Sequence, residues 1–157
     1  MENKQIDPQA LAWASREFDH AMNTCRADDA RYSDLADLLS AGADPDIQQW
    51  CPTSTPRMVS ALNCGDIQAV AMLITAGADL SRRNGGPSIR EIIVGNLMDA
   101  ERFPEMSYPR LVNAEAIAKL ATPEGLAEYQ RSCPRCQAIL AASKTPAADR
   151  LQLACAA

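Results

Sequence analysis

The chain has 157 residues, enough for one ordinary domain, with 47% hydrophobic and 22% charged side chains. Its formal net charge is −5 and its pI about 4.8, so it lacks the basic face that a nucleic-acid binder uses to displace counterions from phosphates. Aromatic residues make up 4% and alanine contributes 28 residues, a composition that suits closely packed helices and predicts an all-α fold.

The N-terminal residues Met1 to Pro8 carry no basic stretch followed by an apolar core, the pattern of a secretory signal. No apolar run approaches the length of a membrane span. Six cysteines are spread along the chain, at 25, 51, 64, 133, 136 and 155. They read as reduced thiols, and the chain as cytoplasmic.

Asp7-Pro8 pairs an N-cap with proline at the first helical position. Leu11, Ala14, Phe18, Ala21, Met22 and Cys25 then recur on one face, predicting a helix that ends near Asp28-Asp29. A second helix restarts at Tyr32 or Ser33, buries Leu35, Leu38 and Leu39, and stops at Gly42. Pro45, Pro52 and Pro56 keep the stretch from Asp44 to Pro56 irregular. A third helix is expected over Arg57–Asn63 and a fourth over Ile67–Ala76, with Val70, Leu73 and Ile74 inward. Asn84-Gly85-Gly86-Pro87 forms a turn. Ile89 opens a fifth helix that runs to about Glu101. Phe103 to Pro109 reads as a loop, Arg110–Leu120 as one helix, and Thr122-Pro123 and Thr145-Pro146 as two further starts. Cys136–Ser143 is also expected to be helical.

Two stretches nearly repeat. Leu38-Leu39-Ser40-Ala41-Gly42-Ala43-Asp44 is echoed by Leu73-Ile74-Thr75-Ala76-Gly77-Ala78-Asp79, with the glycines 35 residues apart. Such a period marks units that bury their apolar faces against one another.

These residues resemble an ankyrin repeat, a unit of about 33 residues with a β-turn tip and two antiparallel helices. Ile67 to Asp79, with Gly65 twelve positions before Gly77, matches the second helix and its terminator, and Leu35 to Asp44 matches the same part of the preceding unit. Met58–Ala61 and Ile89–Ile92 fall at first-helix positions. The family's Thr-Pro-Leu-His signature reads here as Thr55-Pro56-Arg57-Met58 and Pro87-Ser88-Ile89-Arg90. The resemblance implies a stack of about three repeats over residues 18–121, a helical N-terminal cap, and a C-terminal helical extension or cap over 122–157, all in one domain.

The resemblance also implies a non-catalytic protein–protein interaction module. The small, acidic form suggests a stand-alone binder or inhibitor of one dedicated protein partner, of immunity, anti-defence or effector type. It needs no cofactor and has no nucleic-acid or membrane partner. Gln48, Gln49 and Trp50 would sit at one tip and Arg82, Arg83 and Asn84 at the next, giving a candidate partner-binding surface. Trp50 could equally fold back onto a neighbouring tip.

Cys133-Pro134-Arg135-Cys136 supplies only two of the four ligands of a structural zinc site. Helix-start thiols are the favoured reading, and a small zinc- or redox-dependent regulator using Cys133 and Cys136 is the alternative. His20 reads as a structural or partner-facing residue and not as a catalytic base. Asp28-Asp29, Asp34 and Asp37 read as solvated charges at helix ends. No nucleophile elbow, phosphate loop or metalloprotease motif is present, so no enzyme is expected.

Overall fold

The computed structural model describes residues 29–46, 57–83 and 85–143. Among them are eight helices and no named strand: α1 (Asp29–Ser40), α2 (Arg57–Asn63), α3 (Ile67–Thr75), α4 (Ile89–Arg102), α5 (Pro109–Val112), α6 (Ala114–Leu120), α7 (Pro123–Arg131) and α8 (Pro134–Ala142). One antiparallel bridge, Arg83 to Ser88, is the only β pairing among the described residues. The chain is all-α. The first helix expected over 7–28 and the last one at Thr145-Pro146 lie outside the described residues.

α3 is the centre of the molecule. Its sequence, Ile67 to Thr75, is apolar almost all round, and every residue from Ala69 to Thr75 is buried. A helix of that kind needs neighbours on all sides, and α3 has five: α1, α2, α6, α7 and α8. Its start is fixed by Asp66, whose carboxylate accepts the Ala69 N–H at 3.1 Å and the Tyr32 hydroxyl of α1 at 2.8 Å. The first contact is an N-cap and the second ties two helices together.

Two tiers of helices follow from the packing. α2 and α3 form a hairpin across the turn at Cys64–Asp66, and α4 packs against α6. The hairpins then meet like on like, α2 against α4 and α3 against α6, with α1 on the other side of α3. The C-terminal pair lies across the tier formed by α1, α3 and α6. α7 packs on α6 and α3, and α8 on α3 and α1. Leu126, Cys136 and Ile139 are the buried side chains that this pair contributes to the common core.

The α4 start is a capping box. Ser88 Oγ accepts the Glu91 N–H at 3.1 Å while the Glu91 carboxylate accepts the Ser88 N–H at 3.2 Å. Three expectations are corrected. The helix expected from Tyr32 or Ser33 begins at Asp29. The helix expected over Arg110–Leu120 is broken at Asn113 into α5 and α6. There the Asn113 side-chain amide donates to the Gly65 carbonyl at 2.7 Å, a partner 48 residues away. Finally, α8 starts at Pro134 because Cys133 Sγ takes the cap position, accepting the Cys136 N–H at 3.3 Å.

Candidate interaction surface

The two repeated stretches end in the same backbone. Gly42 and Gly77 have φ of 99° and 100°, a conformation that glycine adopts without the steric cost of a side chain. The Gly42 N–H donates to the Leu39 carbonyl and the Ala43 N–H to Leu38. Thirty-five residues later Gly77 donates to Ile74 and Ala78 to Leu73. The likeness extends into the turns beyond. Asp44 Oδ1 accepts the Asp46 N–H at 2.9 Å, and Asp79 Oδ1 accepts the Ser81 N–H at 2.9 Å. Each is a short carboxylate-closed turn of the kind that aspartate forms with its own chain.

The turns also touch. Asp46 Oδ1 and Oδ2 accept the Asp79 N–H at 3.0 and 3.2 Å. Burial raises the Asp46 carboxyl above its ordinary 3.8, the Asp79 N–H works against that rise, and the neighbouring Asp44 charge adds to it.

Arg82 and Arg83 follow the second turn, with Arg83 in the bridge to Ser88. Arg83 is engaged within the chain: its guanidinium donates to both Glu91 carboxylate oxygens and to the Gly86 carbonyl. The Arg83 hydrogen bond is the largest influence holding the Glu91 carboxyl below its usual range. Arg82 is half-buried and its N–H donates to the Asp79 carbonyl at 3.3 Å. Gln48, Gln49, Trp50 and Asn84, named with them as candidates, lie outside the described residues, as does His20. Asp34 and Asp37 are exposed on α1.

Cys133 and Cys136 are brought together and both are buried free thiols. Cys133 Sγ also receives the Gln68 side-chain amide at 3.9 Å. Burial first, then the hydrogen bond with Cys133, pushes the Cys136 thiol far up. Beside them the Gln130 amide donates to the buried Thr75 hydroxyl at 3.0 Å. No group of three or more His, Cys, Asp or Glu side chains that could hold a metal ion occurs among the described residues. Cys64 is disulfide-bonded, which corrects the reading of all six cysteines as reduced thiols.

Sequence reasoning overlooked Asp46 and Asn113, while the reading of Cys133 and Cys136 as helix-start thiols agrees with their place at the cap and first turn of α8. Asp46 had one visible signal, its place two residues after Asp44, where Ser81 follows Asp79 in the second copy. No described helix is long and apolar enough to cross a membrane. Compared with known proteins, the chain matches no family model, no curated protein and no solved structure.

Proposed function

We propose that this chain is a non-catalytic protein-binding module built as a short ankyrin-like stack, with its turns presenting a docking edge to one dedicated protein partner. One observation carries the reading: the two glycine-ended turns repeat bond for bond at a 35-residue spacing and are joined through Asp46 and Asp79. Adjacent turns linked in this way share one edge, which is how stacked repeats offer a continuous surface. The like-on-like packing of α2 with α4 and of α3 with α6 supports the same view. An inhibitor or effector-type binder fits the acidic character of the chain, with charge tuning the encounter more than defining it.

Placement in the cytoplasm belongs to this proposal and rests on the free thiols Cys133 and Cys136. The disulfide at Cys64 opposes it, so a thiol count on protein from the native host decides the point.

The function is tested by affinity purification from that host, comparing the natural chain with a variant carrying Trp50→Ala, Arg82→Ala and Arg83→Ala. A stoichiometric protein partner retained by the first and lost from the second is expected. Equal capture by both would remove the turns from the binding surface.

A further inference from the structure

The exposed apolar surface gathers in one segment. Among the described residues the large apolar side chains left exposed are Val94, Met98, Phe103, Met106, Tyr108 and Val112, and all lie on α4, α5 or the loop between them. Val94 and Met98 are 49% and 62% exposed and stand one turn apart on α4. They face away from the molecule. On the other side of that helix Asn96 and Asp99 accept the Arg110 guanidinium of α5 at 3.0 and 3.4 Å, and Ile89 and Ile93 enter the core. α7 and α8 close the other tier, formed by α1, α3 and α6. The outer helix of a stack usually carries a polar free face, and α4 departs from that. Gly95 adds an independent observation. It sits mid-helix beside Met98, where glycine is the poorest helix former after proline. A Cβ built on it meets no atom within 4 Å, so nothing among the described residues requires a glycine there.

We infer that this face of α4 is the contact between two copies of the chain, paired antiparallel about a two-fold axis. Val94 and Met98 supply an apolar ridge, and Gly95 supplies the gap that lets the two helix backbones approach. A two-fold contact needs one surface to carry both halves of each complementary pair. Here it does. Glu91 precedes Gly95 by four residues and Arg102 follows Met98 by four. Seating Met98 over Gly95 of the second copy therefore sets Glu91 opposite Arg102 of the second copy, and symmetry repeats both contacts. The ends of the contact also balance in charge, Arg83 and Glu91 at one against Glu101 and Arg102 at the other. The terminal segments 1–28 and 144–157 join the described chain at α1 and α8, which pack on each other, whereas α4 packs on α2 and α6. A single helix pair lies below the roughly 800 Å² per partner of a standard interface, so the dimer is weak and concentration-dependent. The docking edge proposed above plays no part in this contact, and either reading can fail without the other.

The test is sedimentation equilibrium of the purified full-length chain over about 5–500 μM, the range of a weak dimer. The average mass should rise from 16.9 kDa toward twice that value. Gly95→Ala separates this account from ordinary packing because its two effects have opposite signs. A better helix former in open space should raise the melting temperature of the dilute monomer by about 2–4 °C. The same methyl, placed in the helix contact, should weaken self-association about tenfold. Met98→Glu should stay monomeric throughout and melt as the dilute natural chain does. A natural chain that is monomeric at every concentration overturns the proposal, and a lowered melting temperature in Met98→Glu would then show that the chain itself covers this face. Self-association that survives both substitutions unchanged overturns it too, because the copies would then meet elsewhere.

Discussion

The carboxylate of Asp46 accepts the backbone N–H of Asp79 on both oxygens, joining two turns 33 residues apart. Asp46→Ala leaves that half-buried N–H without its acceptor and should cost about 1 kcal/mol, whereas Asp46→Asn keeps one acceptor and should cost less. The raised carboxyl gives a pH signature. A group whose folded pKa exceeds its unfolded value favours folding below the unfolded pKa and loses that contribution as pH rises through the folded one. Urea titrations from about pH 3 to pH 6 should therefore show the natural chain losing stability relative to Asp46→Asn as pH climbs past 3.8. A difference independent of pH would contradict this.

Gly65 and Gly77 should respond differently to alanine. Both have positive φ, 60° and 100°, so each substitution carries a left-handed cost of about 1–2 kcal/mol. At Gly65 a Cβ would also collide with the backbone carbonyl of Pro109, which no side-chain rotation can relieve. Gly65→Ala is expected to lose about 3 kcal/mol in total. Chemical denaturation that ranks Gly77→Ala as the worse of the two would refute this account of the α5 approach.

Much of the helical pattern was legible because its signals are local. The bounds of α2 are those the sequence suggests, α3 starts where expected and Gly77 ends it, and Thr122-Pro123 opens α7. What was not legible depends on residues far apart. The break at Asn113 exists because its side chain reaches Gly65, and nothing within the run from Arg110 to Leu120 encodes that turn. Cys133 was legible as a helix-start thiol, but the start of α8 at Pro134, two residues before the expected Cys136, was not, because sulfur is a weak acceptor outside the usual Ser, Thr, Asp and Asn cap set. The link from Asp46 to Asp79 required knowing that the two turns lie side by side. Of the candidate surface, the repeat of Gly42 and Gly77 was readable, while the engagement of Arg83 by Glu91 was not.

Cys133 and Cys136 should behave as packing residues. Both are buried and the Cys136 thiol is pushed up, so little thiolate is exposed to attack. Mass spectrometry after maleimide treatment at neutral pH is expected to find both unmodified in the folded chain and labelled after denaturation. Cys133→Ala removes the α8 cap and leaves a small void, at about 1–2 kcal/mol. Cys133→Ser retains an acceptor and should lose less than half of that. Prompt labelling of the native protein would reopen a redox role.

Ending the chain at Ala121 should be far more damaging than ending it at Ser143. The shorter chain lacks Leu126, Cys136 and Ile139, which lie at 1%, 0% and 1% exposure in the core. Truncating one such aliphatic side chain to alanine typically costs about 2–5 kcal/mol, so the loss of both helices should abolish cooperative melting. Matching calorimetric transitions for the two truncations would show that α7 and α8 contribute nothing to the core.

The pair α7 and α8 has a consequence for how this protein can vary. One of them grips α6 and the other grips α1, with only Ser132 and Cys133 between the two helices. An extra hairpin inserted between α3 and α4 would spread those anchor points beyond what two residues can bridge. The separation of α1 and α6 across α3 is therefore set by a strap of fixed span, and no further helix can enter between them unless that fastening is rebuilt.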